Sequence, residues 1–572
     1  MKKYAMMTVK GAVGLLPKSV KSTLKDNHKL TEFYSRSLQR SGLFYGFPSK
    51  KKRMALYSQY LKEQEKKLNS VSFVSSESQE LRVFILGKKD IEQTLRSLEN
   101  NNVALSSVIQ ISPKPTSGLI QHVHELPGAI ASLQTDSKIL FLNSGDVLTP
   151  GALKIMLMLS DDADITYCDT DKLDKKGKRT SPHFLPDWSP DLQFSTAYIT
   201  TGVMLSASLL KKSELKATSV AGLVSEIWLT DKQLTIQHLS YTLIHRTQTL
   251  SMDAVLGDMV KIVRARSAGE PAFDKELKVN HVQWPALSNP LVSLIIPTKN
   301  GRELVKACIE SILEKTTYTN YEILLIDNGS DEPASLEYFE TLKALPKIRV
   351  LEFPGEFNYS AINNFGVEHA SGEVVGLINN DIEVIKPEWL TYMVGHAMRE
   401  DIGCVGAKLL YSDGRVQHAG VVLGYGGGAG HAHKYFPRYH PGYMKRLVAS
   451  QNYSAVTAAC LLVRKTKFIE VGGLNEKDLT VAFNDVDFCL RVRETGVRNI
   501  YCAEAELYHH ESVSRGLDLS PEKAARFKRE LEYLQARWCS YIEYDPAYSP
   551  NLTLKRENFS VKTKEEFTAV QI

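Results

Sequence analysis

From residue 291 the apolar and polar positions fall into a regular alternation of two periods. LVSLIIP (291–297), YEILLID (321–327), KIRVLEF (347–353) and EVVGLI (373–378) are short, nearly continuous apolar runs. That is the pattern of strands covered on both faces. Between them, ELVKACIESILEK (303–315) places Leu304, Cys308 and Ile312 at helical spacing, and YSAINNFGVEHA (359–370) reads as a second helix. Strands alternating with helices predict an α/β domain with a mostly parallel, Rossmann-like sheet. Ligands of such sheets collect at the carboxyl ends of the strands. Three polar groups follow strand ends here: Pro297, Thr298 and Asn300; Asp327; and Asn379, Asn380 and Asp381.

The first half of the chain echoes this pattern more weakly. KILFLNSGDVLTPGAL (138–153) resembles EVVGLINNDIEVIKPEWL (373–390): an apolar strand, an Asn-led polar cluster, a proline and a helix. Residues 76–268 are therefore expected to be a degenerate copy of the unit at 291–516, with LRVFILGKKD (81–90) as its opening strand and the polar segment 269–290 as the linker. Residues 1–75 read as a basic, partly helical arm, and 517–572 as a helix with a proline-punctuated extension.

Composition changes this picture at one place. Residues 1–70 hold 16 Lys/Arg against 4 Asp/Glu, a charge of +12 in a chain whose total is +5, so the rest sums to −7. Such an arm can dock on the body, touch nucleic acid or lie on an anionic membrane, where each basic residue contributes ~1 kcal/mol. No nucleic-acid motif accompanies it. Apolar runs such as 455–463 fall far short of the ~20 residues of a spanning helix, and Lys10 interrupts the apolar N-terminal stretch, so no cleavable signal is read. Seven scattered cysteines without a CxxC pair point to a reducing compartment.

Each chemical candidate has two readings. Asp327 in DNGSDE can accept from a ligand hydroxyl or N–H, or simply form a turn. Asp381 can hold Mg²⁺ or Mn²⁺ together with diphosphate oxygens, or belong to a turn or helix cap. In NDVDFCLRVRETG (483–496 with Phe483), Asn484 is the expected N-cap, Asp485 and Asp487 suit the first turn, and Asp487 can pair with Arg491; alternatively, Asp485 is a general base. His509 and His510 can ligate a metal or be structural. GYGGGA (424–429) matches a dinucleotide fingerprint only formally, since no helix follows it to receive a phosphate.

Together these segments resemble glycosyltransferase family 2, with the nucleotide-diphospho-sugar (GT-A) fold, across roughly 291–516. VSLIIPTKNG resembles its opening strand and donor loop, ILLIDNGSD the strand whose acid (Asp327) contacts the base, and INNDIEVIKPEWL its DxD segment ending on Asp381. AVTAACLLVRKTKFIEVGGLNE (455–476), with Ala458 and Ala459, resembles the acceptor-side segment, flanked by Asn484 and Asp487. NDVDF resembles the motif carrying the base, here Asp485, and LYHHESVSRG the late histidine segment, where His509 is the first choice of metal ligand and His510 the second. The closer likeness is to rhamnosyltransferase-like and O-antigen-type enzymes of bacterial cell-surface polysaccharide synthesis. The resemblance implies inverting transfer from a dTDP- or UDP-sugar to a glycan or polyprenyl-linked acceptor. It further implies a divalent cation (Mg²⁺ or Mn²⁺) and a cytoplasmic enzyme peripheral to the inner membrane face. Asn379 and Asn484 replace acids of the family pattern, and the latter change is expected to lower the pKa of Asp485. Rival readings are a non-catalytic carbohydrate- or nucleotide-binding scaffold and a nucleotidyltransferase.

Overall fold

In the computed structural model the described residues are 2–17, scattered positions from 20 to 38, 47–70, 80–131, 133, 137–160, 163–211, 215–510 and 520–568. Residues 511–519 of the late histidine segment lie outside them. The chain divides into two compact units, one of residues 48–282 with 548–553 and 560–572, the other of residues 1–47 with 283–547 and 554–559.

The first unit contains β1 (Leu81–Leu86), β2 (Val108–Ile111), β3 (Gln121–Val123), β4 (Lys138–Asn143), β5 (Asp146–Leu148), β6 (Ile165–Leu173), β7 (Arg179–His183), β8 (Val203–Ser206) and β9 (Ile236–Arg246). Residues 269–290, expected as a linker, contain the paired strands β10 (Glu270–Asp274) and β11 (Val279–Gln283). The second unit continues with β12 (Val292–Thr298), β13 (Tyr321–Asp327), β14 (Ile348–Glu352), β15 (Val374–Ile378), β16 (Ile382–Val384), β17 (Ile402–Leu410) and β18 (Val416–His418). It ends with β19 (Val421–Leu423), β20 (Ala429–His431), β21 (Gln451–Tyr453), β22 (Cys460–Arg464) and β23 (Arg498–His509).

The two main sheets have the same topology. Their strand orders are β3-β2-β1-β4-β8-β6-β9-β5 and β14-β13-β12-β15-β22-β17-β23-β16, with β7 on β6 and β18 on β17; the second sheet alone adds β21 on β23. In both, the first four strands are parallel, two antiparallel steps follow, then one parallel and one antiparallel. The repeat read from 138–153 and 373–390 thus extends to the whole sheet.

In the second unit every residue of β12 and β15 is buried, as the unbroken apolar runs require. The helix Tyr359–Glu368 packs so closely on β12 that a Cβ on Gly366 would lie 2.5 Å from Ile295 Cγ2. Close packing of this kind fixes the height of the strand ends, and hence of the residues that follow them.

In the N-terminal arm, the helix Lys50–Ser70 docks on the first unit. The Tyr57 hydroxyl donates to Asp171, and Gln64 Nε2 donates to the Thr242 carbonyl at 3.2 Å. Lys50 and Lys51 on the same helix stay exposed.

Candidate active site

The carboxyl edge of the second sheet gathers the strand-end residues. Thr298 and Asp327 close β12 and β13 as ladder partners. Asn380 Nδ2 donates to Thr298 Oγ1 at 3.0 Å, tying the loop after β15 to the loop after β12. Asp327 Oδ1 accepts from the Ser330 N–H at 2.9 Å and hydroxyl at 2.6 Å, so one carboxylate oxygen forms the turn. Two expected residues face elsewhere. Pro297 is buried within β12. Asn300 adopts a left-handed φ of 56° and is spent on the next turn, accepting from the N–H groups of Asp331 and Glu332 at 2.9 and 3.1 Å.

The short strand β16 explains how His509 reaches Asp381. It pairs antiparallel with the end of β23, placing His509 opposite Ile382 and beside Asp381. His509 Nε2 lies 3.1 Å from Asp381 Oδ1, and both side chains are over nine-tenths buried. Asn379 Nδ2 is 3.1 Å from the same nitrogen, and His509 Nδ1 is 2.7 Å from Gln417 Oε1. With Gln417 accepting from Nδ1–H, Nε2 presents its lone pair, and it faces a carboxylate oxygen. Nε2 then accepts from Asn379 Nδ2 beside the Asp381 carboxylate, and either a ring proton or a bound cation would relieve the close approach of the two acceptors. No three His, Cys, Asp or Glu side chains converge on a metal-sized site among the described residues. A cation bound here would have Asp381 and His509 as its protein donors and would need ligand oxygens to complete its shell, as Mg²⁺ and Mn²⁺ sites on phosphates commonly do. His510 points away: Nε2 lies 3.2 Å from Glu383 Oε2 and Nδ1 2.7 Å from Ser412 Oγ. Successive strand residues face opposite sides, so only one of the two histidines can reach Asp381.

A cavity of about 200 Å³ opens beside this pair, lined by Asn379, His509, Ala458, Ala459, Asn484 and Asp485 among others. Asp485 stands in the first turn of the helix Asn484–Glu494. Its Oδ2 accepts from the Ala458 N–H at 3.1 Å and its Oδ1 from the Val486 N–H at 2.8 Å. Burial raises its pKa above the ordinary aspartate value, against these two amide bonds. The lower pKa expected from Asn484 is thus corrected, because desolvation of the carboxylate outweighs the loss of one acidic neighbour.

The helix start also differs from expectation. Phe483, with a left-handed φ of 58°, occupies the cap, while Asn484 lies inside the helix and donates to the Val481 carbonyl at 3.2 Å. The preceding loop is held by Glu530 of the tail helix Pro521–Arg537, which accepts from the N–H groups of Val481 and Ala482 at 2.9 and 3.1 Å. Asp487, expected on the acceptor side, instead turns away from the cavity. It accepts from Arg491 Nε at 2.8 Å and Trp538 Nε1 at 2.9 Å, anchoring the helix to the tail.

Sequence patterns do not single out Tyr359 or Gln417 as cavity residues, and they place His431, a candidate metal-ligating pair with His433, in a loop. The Tyr359 hydroxyl lies 3.0 Å from the Ala458 carbonyl and 3.2 Å from Asn379 Oδ1, joining two walls. The glycine-rich segment 424–443 contains β20, which delivers His431. Burial, with His418 and Lys434 nearby, pushes the His431 pKa well down, so its ring is neutral.

Residues 293–472 match the family model described as "Glycosyl transferase family 2". The chain is 41% identical over 469 residues to "Uncharacterized protein y4gI" of Sinorhizobium fredii, spanning 77% of this chain and 51% of that protein. It is 32% identical over 458 residues to "O-antigen biosynthesis protein RfbC" of Myxococcus xanthus, spanning 74% of this chain and 34% of that protein. The chain therefore spans about half and about a third of the lengths of these curated relatives. Among solved structures, "Mannosyltransferase PcManGT from Pyrobaculum calidifontis in complex with GDP-Man and Mn2+" aligns with 15% identity and a TM-score of 0.32, covering 45% of this chain and 70% of that one. With the family match, the second sheet is that of a GT-A unit, preceded by a unit of the same strand order.

Proposed function

Because residues 293–472 form a family 2 glycosyltransferase domain, we propose that the chain transfers a sugar, with inversion, from a nucleotide-diphosphate donor to a glycan or lipid-linked glycan in bacterial cell-surface polysaccharide synthesis. The observation that carries this reading is the cavity. Four segments far apart in sequence supply Asn379, Ala458, Asp485 and His509 to its walls. A basic carboxylate thus stands across a small space from a paired carboxylate and imidazole, as single displacement requires.

Asp485 takes the proton of the acceptor hydroxyl as that oxygen bonds to the anomeric carbon. The bond from this carbon to the diphosphate breaks, and the nucleoside diphosphate leaves with the electron pair. A raised pKa makes Asp485 a stronger base than an exposed aspartate. Thr298 and Asp327 orient the base of the donor, with Asn379 and Asn380 toward its diphosphate. Asp381 and His509 would hold a divalent cation, which when bound neutralises charge building on the leaving group.

The acceptor is carried on a polyprenyl phosphate at the inner membrane face, and the N-terminal arm meets that surface. Met7, Val9 and Leu15 of the helix Lys2–Leu15 are exposed among basic residues, as on an interfacial helix. No helix among the described residues is long and apolar enough to cross a membrane.

Incubation with a panel of nucleotide-sugars, acceptor glycolipids and either Mg²⁺, Mn²⁺ or chelator tests the reading. Acceptor-dependent release of nucleoside diphosphate is expected. Release of pyrophosphate would point to nucleotidyl transfer, and binding without turnover to a scaffold. Deleting residues 1–47, which leaves the docked helix Lys50–Ser70 in place, should reduce partitioning onto anionic vesicles.

A further inference from the structure

The second unit has another, larger recess. An open groove of about 810 Å³ runs between the helix Tyr359–Glu368, the segment 465–477 and the tail helix Pro521–Arg537. The helix Asn484–Glu494 connects it to the active-site cavity. Asp485 in its first turn lines the cavity, and Arg491 lines the groove. Six residues of helix separate them, about 9 Å of rise.

Several hydrogen-bond donors of this groove have capacity to spare. Arg491 gives Nε to Asp487 at 2.8 Å and Nη1 to the Val471 carbonyl at 2.6 Å, while Nη2 is buried without a hydrogen-bond partner. A buried guanidinium N–H without an acceptor is costly and needs an anion or a carbonyl. The Tyr533 hydroxyl accepts from Asn475 Nδ2 at 3.0 Å, which leaves its own proton to give. The Lys477 ammonium has no ion pair among the described residues. Arg537, 43% exposed, stands at the rim with Nε 3.5 Å from Asp487 Oδ1. The groove acids are Glu368 and Glu476, and Glu476 Oε2 already accepts from Asn364 Nδ2 at 3.2 Å. Beside the donors lies an apolar lip: Ile469 is 61% exposed over buried Phe468. Donors surrounding a basic floor, with an apolar lip, suit a phosphate that carries a hydrocarbon chain.

We propose that this groove binds the phosphate end of a prenyl-phosphate carrier. The phosphate sits among Lys477, Arg491, Tyr533 and Arg537, and the first isoprene units lie over Ile469. The proposal rests on the reading of the acceptor as lipid-linked and gives that acceptor a place. Its sugar reaches Asp485 at one end of the helix while its phosphate is held near the other.

Binding of farnesyl phosphate, inorganic phosphate and farnesol to the full chain is measured by calorimetry, without any nucleotide-sugar. Saturable binding of farnesyl phosphate is expected, about tenfold weakened by Lys477→Glu, a change of one charge-assisted contact. Ile469→Asp should weaken farnesyl phosphate and leave inorganic phosphate unaffected. Both positions are surface ones, and unchanged melting temperatures confirm folding. Equal affinity for inorganic phosphate would make this a free-phosphate site and overturn the carrier assignment. Equal affinity for farnesol, no effect of Lys477→Glu, or no binding would overturn the proposal outright. Absence of sugar transfer with every donor, alongside the expected binding results, would overturn the proposed function and leave the groove standing.

Discussion

The two units share one sheet order but use their buried charges for different ends. β16 opens with Ile382 opposite His509, and β5 opens with Asp146 opposite Arg246. The residue before each strand is Asp381 in one and Gly145 in the other. By the same register Asn143 stands for Asn379 and Arg246 for His509. The left-handed residues that open the next helix, Asp90 and Gly301, align the first strands and put Ser112 where Asp327 stands. At the second position of the equivalent 11-residue helix, Ala221 replaces Asp485. A cavity of about 250 Å³ persists there, lined by Asn143, Thr200, Ser219 and Ala221 but by no ionisable side chain. The charged groups of the first unit have moved inside the fold. Asp171 binds Tyr57, Arg179 and His245, and Asp169 binds His238 and Asn551. The fold alone therefore does not specify the chemistry; the residues at the strand ends do.

The largest expected effect tests that contrast at Asp485. Asp485→Asn should lower sugar transfer by ~10²- to 10⁴-fold, the usual contribution of a positioned base. Stability should move the other way. A carboxyl whose folded pKa is raised loses stability as pH climbs from its unfolded pKa through the folded one, so burying the ionised form is a liability. The neutral amide should leave the melting temperature unchanged or higher. Near-normal transfer by the folded variant would remove the base from this cavity and erase the distinction between the units.

At His238 of the first unit the charged form is the stabilising one, while stability again falls as pH rises. Burial disfavours its charge, but Asp169 at 2.9 Å and Asp187 at 3.4 Å reverse this and lift its pKa to about 9 from 6.5. Its stabilisation, on the order of 3 kcal/mol, should be complete below pH 6.5 and disappear as pH rises through about 9. Denaturant titrations between pH 6 and 10 should show this loss, and His238→Gln should flatten it. An identical slope in the variant would assign the loss to other groups. At the second unit, Gln417→Leu removes the partner of His509 Nδ1. A loss of ~10- to 100-fold in activity or metal affinity is expected, read as a shift of the metal-activation curve. If the curve stays in place, Gln417 does not set the imidazole's orientation.

Much of the second unit was legible because its buried strands are unbroken apolar runs and its strand-end polar residues follow them directly. The helix read at 303–315 is found at Arg302–Lys315, and the tail helix expected within 517–572 at Pro521–Arg537. Contributions made across the sheet were not legible. Gln417 lies in a short buried strand whose position depends on pairing with β17, and His431 in a hairpin read as a loop. The choice of His509 over His510 is a matter of strand face, which the β16–β23 register decides and a His-His pair cannot. The cap at Phe483 escaped notice because an aromatic residue with positive φ runs against side-chain preference. Asp487 could be paired with Arg491 from their spacing. That Trp538 closes the same carboxylate from a tail 51 residues away could not.

The smallest expected effect is the attempt to write the second unit's acid into the first. Gly145 has φ +90°, and a Cβ there would lie 2.7 Å from Thr247 Oγ1 and 2.9 Å from Gln248 Cγ. A non-glycine residue is strained by the backbone as well as by the contact, so Gly145→Asp should destabilise the first unit by about 1 kcal/mol or more. It should add no metal-dependent turnover, even with Arg246→His beside it, because Ala221 offers no base. The measurement is made in a chain whose second unit carries Asp485→Asn, so that any donor consumption belongs to the first. Metal-dependent release of nucleoside diphosphate from that chain would mean that the loss of Asp381's counterpart alone silenced the first unit. Continued silence with a lowered melting temperature would mean that its backbone has itself settled around the missing side chain, leaving a sheet of the same order on which that acid no longer fits.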